Sequence, residues 1–242
     1  MELTRLMIKY YINTVKRSFK LTVINWKVSF VLIIYSALMG VTYALASRLY
    51  FVGGILVALV SAACISSYLY LIEEIINSRV VSIYDFKNSF TPYLGRVINV
   101  TFYIWIASLV YNLLILRIIQ NISGGFVINL IVYIAVIVLL NPIFEFIYQS
   151  YVTELNIFSA CVSFMKDNFI EWMIPNAILI LLIYYLFGGL SFITWPRNVP
   201  GILKYIAGLF VLLFTMIYRG ILFRFLNEST RRSRLFKLRM LE

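Results

Sequence analysis

The chain has 242 residues, of which 62% are hydrophobic and 13% charged, with a formal net charge of +11 and a mean hydropathy of +0.93. A soluble domain of this length has too little interior for that much apolar side chain, so composition excludes a water-soluble globular protein and makes the bilayer the expected solvent. The basic excess does not call for nucleic acid, because much of it gathers in the two tails, where anionic head groups attract each Lys or Arg by roughly 1 kcal/mol.

In the N-terminal segment Arg5, Lys9, Asn13, Lys16, Arg17 and Lys20 form one helical stripe and Leu6, Ile8, Tyr11, Ile12, Val15, Phe19 and Val23 the other. That is the pattern of a helix lying in the membrane interface. The segment is neither a cleavable signal peptide nor a lipidation motif, so the first membrane helix is expected to serve as an uncleaved signal. A hydrocarbon core about 30 Å thick takes roughly 20 apolar residues of helix. Six windows qualify, at about 27–48, 50–73, 97–117, 125–146, 173–194 and 202–223. Asn25-Trp26 marks entry to the first, and Ser47-Arg48-Leu49-Tyr50 leaves only a tight turn before the second. A short amphipathic stretch follows, with Ile83, Phe86 and Phe90 against Asp85, Lys87, Asn88 and Thr91, and Pro92 ends or bends it. After the fourth window a third such stretch sets Asn156, Ser159, Ser163, Lys166 and Asp167 against Leu155, Phe158, Val162, Phe169 and Trp172. Trp26, Phe90, Phe169 and Trp172 are read as interfacial anchors, since amphipathic rings settle at head-group depth. Past the sixth window, Arg231-Arg232-Ser233-Arg234-Leu235-Phe236-Lys237-Leu238-Arg239 suits a helix on the inner leaflet or a docking site for a soluble partner.

The dipeptides Ser18-Phe19, Ser89-Phe90 and Ser163-Phe164 stand 71 and 74 residues apart, each at the end of an amphipathic stretch. Glu74, Glu145 and Arg219 keep the same two spacings. The periodicity predicts an all-α fold, a polytopic transmembrane helix bundle of six membrane helices arranged as three hairpin repeats with cytoplasmic interfacial amphipathic helices. One membrane domain spans residues 1–242, with repeat units at about 1–76, 77–147 and 148–224 and a basic tail over 225–242. In each dipeptide Ser is expected on the polar side and Phe in lipid. Pseudo-threefold packing of the hairpins is expected, with breaks at Pro142, Pro175 and Pro196 near the membrane ends.

With both termini inside, seventeen Lys and Arg residues fall on the inner side against four outside, and the positive-inside rule therefore predicts both termini in the cytoplasm. The outer face is three short turns. Cys64 and Cys161 lie in different segments and no His is present, so neither a disulfide framework nor a zinc site is expected. Intramembrane hydrolysis requires an activated nucleophile or water. Ser61, Ser66 and Ser67 have no base within a turn or two and read as small packing residues. Gly53-Gly54, Gly124-Gly125 and Gly188-Gly189 are not followed by the Lys and Ser/Thr of a phosphate loop, and they read as turn or packing glycines. No catalytic, cofactor-binding or metal-ligating residue is expected, and the chain is not read as an enzyme.

Glu73, Glu74, Glu145 and Arg219 form a candidate charge cluster, because ionisable groups at membrane depth pair or face a wet cavity. A salt bridge of Arg219 with one or both carboxylates that joins the hairpins, an ion or substrate gate, and charges that simply face the head groups are the three readings.

The run Ile157-Phe158-Ser159-Ala160-Cys161-Val162-Ser163-Phe164-Met165-Lys166-Asp167-Asn168-Phe169 resembles a broad group of bacterial six-helix integral membrane proteins. That group includes uncharacterised families and the membrane region fused to some glycerophosphodiester phosphodiesterases. The resemblance implies a membrane module in the bacterial cytoplasmic membrane without the fused activity. Val15-Lys16-Arg17-Ser18-Phe19-Lys20 running into Trp26-Lys27 is similar to the basic elbow of exporter permease subunits. Two function classes therefore stay open. One is a transport-related subunit, such as an exporter permease working with a separate ATPase. The other is a membrane scaffold or organising protein that recruits partners or anionic inner-leaflet lipid through its basic segments. The partners expected are the bilayer and either an ATPase subunit or further copies of the chain.

Overall fold

The computed structural model describes residues 2–78, 80–188, 199–229 and 233. Among the described residues the chain is helical, with no strand. In chain order the helices are α1 (Glu2–Ile24), α2 (Lys27–Ala46), α3 (Tyr50–Ser78), α4 (Ile83–Asn88), α5 (Leu94–Val110), α6 (Leu116–Gln120), α7 (Gly125–Leu139), α8 (Ile143–Gln149), α9 (Glu154–Phe187) and α10 (Val199–Asn227), and a π-turn, Tyr111–Ile115, joins α5 to α6. Six stretches are long and apolar enough to cross a bilayer: Lys27–Ala46, Val52–Asn77, Leu94–Gln120, Gly125–Gln149, Glu154–Phe187 and Val199–Asn227. Each overlaps one of the windows expected from the sequence. The chain is an integral membrane protein built as three hairpins, α2 with α3, α5–α6 with α7, and α9 with α10.

Glycine makes the first two hairpin turns. A Cβ on Gly53 would collide with the carbonyl of Ala46, and one on Gly125 with the carbonyl of Ile119. Gly124 precedes α7 at φ +85°, a left-handed conformation that a side chain disfavours. The connection of the third hairpin, including Gly189 and Pro196, lies outside the described residues, as does most of the basic tail.

Asparagine makes the elbows between interfacial and membrane helices. Asn25 Nδ2 donates to Leu21 O at 3.0 Å where α1 turns into α2. Asn168 Nδ2 donates to Phe164 O at 3.0 Å, and its backbone leaves helical geometry at φ −130°, ψ 17°, so α9 is two helices joined across a kink. Pro175, where a break was expected, lies inside continuous helix. Its missing N–H leaves the carbonyl of Glu171 short of a partner, and the Tyr11 hydroxyl donates to that carbonyl at 3.1 Å.

The three hairpins all touch, but not with threefold symmetry. α10 takes the centre, against α9, α1, α3, α2 and α8. In its spanning window 61% of residues are buried, compared with 6% and 11% in the two spans of the second hairpin. Ile72, Ile143 and Ile217, in the same 71- and 74-residue register, all belong to the core. The interfacial elements α1, α4 and the first half of α9 gather at one end of the bundle, together with the buried helix α8, and we term this end the collar. There Tyr10 of α1 stacks on Phe225 of α10 with centroids 4.0 Å apart.

The Ser-Phe dipeptide does not keep one orientation. Ser18 and Ser89 are buried and Phe19 is exposed, whereas in the third copy Ser163 is exposed and Phe164 is buried against Phe146, Trp172 and Phe223. Ser18 precedes its elbow asparagine by seven residues and Ser163 by five. Two residues turn a helix face by about 200°, which exchanges the inner and outer sides.

Candidate functional site

Pro142 interrupts the fourth span. The chain leaves α7 at Leu139 and restarts as α8, which places Glu145 in the first turn of a new helix, where the exposed N–H groups favour negative charge. Arg219 of α10 meets it in a two-pronged contact. Nε donates to Oε1 at 2.6 Å and Nη2 to Oε2 at 2.9 Å, and Nη2 also donates to the carbonyl of Asn141 at 2.7 Å. Glu145 is 0% and Arg219 8% exposed. The guanidinium lies over the Trp172 ring, 5.1 Å from its centroid, and Trp172 Nε1 donates to Asn141 Oδ1 at 2.8 Å. Paired charges, a stacked ring and a bonded indole close this unit against water, and each member satisfies another.

Arg96 holds the other end of α8. Its Nη1 donates to the carbonyls of Ile147 at 2.6 Å and Ser150 at 2.7 Å, and its Nη2 to Val152 O at 2.7 Å, satisfying acceptors that the helix end leaves open. Gln149 Nε2 reaches the Gly220 carbonyl at 3.1 Å. α8 is thus a short buried helix pinned at its start by α10, at its end by α5, and along its side by α10 again.

A further polar contact lies near the foot of α3. Glu73 accepts a hydrogen bond from the Tyr93 hydroxyl. Burial, with the carboxylate beside it, pushes the Tyr93 phenol above its ordinary range and keeps it a donor. Glu73, Tyr93 and Arg96 line a cavity of about 340 Å³ at the collar. A larger one, about 730 Å³, lies between the first half of α9 and the end of α10. A third, about 340 Å³ and lined mainly by apolar side chains, lies among α2, α3, α8 and α10, with Cys64 in its wall, while Cys161 is buried in the main core.

Of the expected charge cluster, Glu145 and Arg219 meet each other, Glu73 meets Tyr93, and Glu74 is half-exposed at the next position of α3. Among the interfacial anchors, Trp26 and Phe169 are exposed beside their elbows. Phe90 instead turns partly inward, edge-on to Phe86 and Tyr35 at 5.6 and 6.4 Å. Trp172 is 0% exposed and belongs to the ion-pair unit, because the kink at Asn168 swings that face of α9 onto α10. Ser66 and Ser67 do more than permit packing. Tyr93 N donates to Ser66 Oγ at 3.2 Å, Ser66 Oγ donates to Phe90 O at 3.1 Å, and Ser67 bonds both Tyr35 and Ser89 through their hydroxyls.

Sequence reasoning passed over Arg96, counted only as an inner-side charge. A signal for it exists, since Arg96 follows Ser89 by seven residues as Asn25 follows Ser18. Each binds the backbone 56 residues further on, Asn25 Oδ1 accepting from Val81 N at 2.9 Å and Arg96 donating to Val152 O. Compared with known proteins, the chain matches no family model, no curated protein and no solved structure.

Proposed function

We propose that this integral membrane protein is a non-enzymatic, transport-related subunit, such as an exporter permease that works with a separate ATPase. It sits in the bacterial cytoplasmic membrane with both termini inside. The reading rests on the unequal packing of the bundle. The collar ties the three hairpins together, the first to the second through Tyr93 on Glu73 and the third to the second through Arg219 on Glu145 and Asn141, while the membrane-spanning part of the second hairpin has little protein against it. A push on such a collar would be transmitted to the hairpin least held by its neighbours. The basic N-terminal helix supplies a surface for an ATPase, and anionic inner-leaflet lipid is the other partner it suits. Affinity purification of the tagged chain from its native membrane tests this. An ATPase is expected to co-purify, and reconstituted vesicles are expected to show ATP-linked flux. A chain that purifies alone and gives vesicles with neither ATP-linked nor gradient-linked flux refutes the proposal.

The scaffold reading has its own support in the Glu145–Arg219 pair, which is shielded and saturated and offers no open charge as a gate at that level. Under that reading pull-down recovers membrane or soluble partners without an ATPase.

A further inference from the structure

The first arm of the second hairpin carries a polar pair on a face with no protein against it. Thr101, Ile104, Trp105, Ser108, Asn112 and Ile115 recur at helical spacing, and all six are exposed. Tyr111, one residue away, points instead at the other arm, where it bonds Asn129. Asn112 stands five residues inside the end of the apolar 97–117 run, about 7 Å at 1.5 Å per residue, so its side chain lies at hydrocarbon depth. Its Nδ2 donates to Ser108 O at 2.8 Å and to Ser108 Oγ at 3.2 Å, which uses both amide hydrogens and draws the amide to the level of Ser108. Among the described residues Asn112 Oδ1 then receives no hydrogen bond, and the Ser108 hydroxyl hydrogen has no acceptor. Lipid tails can satisfy neither group, and polar side chains in such a setting bond across helices.

We infer that two copies of the chain join along this face, Ser108 of each donating to Asn112 Oδ1 of the other. The occupant is a second copy because the pair is self-complementary, with one free donor and one free acceptor side by side and no charge. Copies inserted in the same sense run parallel, so a two-fold axis along the membrane normal sets the pair against its own image and makes the bond twice. Thr101 and Ser108, seven residues apart and small, let the two backbones come close. The contact uses the span with the least protein against it, 6% buried within one chain. It leaves each collar able to move against the joined hairpins. The inference does not depend on the transport proposal, since association requires no flux.

The full chain in phosphatidylcholine vesicles provides the test, with copies carrying a donor or an acceptor dye and energy transfer followed as lipid dilutes the protein. Transfer is expected to persist at dilutions where random proximity gives none. Asn112→Leu and Ser108→Ala are each expected to weaken association about tenfold, since each removes both bonds of the dimer. The double variant should weaken it little further than either alone. Tyr133→Phe, which deletes an exposed hydroxyl from α7, should leave association unchanged. Should these variants fail to insert, a cysteine cross-link decides, on a background in which Cys64 and Cys161 are replaced. Ser108→Cys is expected to form a disulfide between copies on oxidation, and Tyr133→Cys is not. Transfer no greater than random proximity, equal weakening by Tyr133→Phe, association untouched by both Ser108→Ala and Asn112→Leu, or equal cross-linking at the two positions overturns the inference.

Discussion

At the scale of single residues, Arg219 and Glu145 dominate, because each is the reason the other is tolerated in the core. Removing one partner of a buried pair leaves an uncompensated charge and typically costs about 3–5 kcal/mol, whereas removing both costs less than the sum. Arg219→Ala should therefore strongly destabilise the detergent-solubilised protein, and adding Glu145→Ala should cost little more. A denaturation midpoint measured for the four members of the cycle checks this, and strictly additive losses would show that the two side chains act independently. Trp172→Phe keeps the ring over the guanidinium but deletes the indole N–H that Asn141 accepts. About 1 kcal/mol of stability should go with it, the usual worth of one such bond. A Trp172 lying in the lipid interface would give no such loss, so the same denaturation assay separates an anchor from a core residue.

At the scale of elements, the glycines of the first hairpin turn offer a sharper contrast than any proline. Gly53 has no room for a Cβ because the obstacle is a backbone carbonyl, while Gly54, next in sequence, has open space around it. Gly53→Ala is expected to destabilise by about 1–3 kcal/mol, the usual range for forced overpacking. Gly54→Ala is expected to be neutral or to stabilise by up to about 1 kcal/mol through helix propensity. Equal effects of the two substitutions in a thermal melt would contradict this turn geometry. The cap of α4 gives a pH-dependent case. Asp85 accepts from the Ser82 hydroxyl and from its backbone N–H, both at 2.7 Å, and these bonds hold the carboxyl below its ordinary range. A group depressed in the folded state stabilises above its unfolded pKa, about 3.9, and loses that contribution as pH falls through the folded value. Asp85→Asn should thus reduce stability at neutral pH and make no difference in acid below that value. The six spans were legible because each is a long apolar run, and the first turn because only four residues separate two such runs. The elbow in α9 was not. Proline at 175 is the conspicuous breaker in the sequence, yet Tyr11 serves the carbonyl it leaves open and the helix continues, while the bend falls at Asn168, whose side chain competes for a backbone carbonyl. The pair Glu145–Arg219 was visible as a spacing of 74 residues, but its third and fourth members, Trp172 and Asn141, depend on how α9 turns after that bend.

At the scale of the whole molecule, the bundle is firm at one end and lightly held along one side. Arg219 crosses from the third hairpin to the second at the collar, Arg96 reaches from α5 to the end of α8 and the loop that leads into α9, and α10 fills the centre. The second hairpin runs away from that end with little of its spanning length buried, and the π-turn at Tyr111–Ile115 interrupts its first helix. Within the hairpin, Tyr111 donates to Asn129 Oδ1 at 2.7 Å, tying its two arms to each other rather than to a neighbour. Such a unit should swing as a body about the collar, since segments with few buried contacts open and shift at low free-energy cost. Spin labels test it, on a background in which Cys64 and Cys161 are replaced. A pair at Ser47 and Asn121, in the turns of the first and second hairpins, is expected to give a broad distance distribution in nanodiscs. A pair at Asn88 and Asn156, both at the collar, is expected to give a narrow one. If the Arg96 contacts are what hold the pivot, Arg96→Gln should broaden the collar pair as well, because the loop carbonyls at Ser150 and Val152 then lose their shared donor. Two narrow distributions would mean that lipid packing alone fixes the second hairpin, and the collar would then have nothing to move.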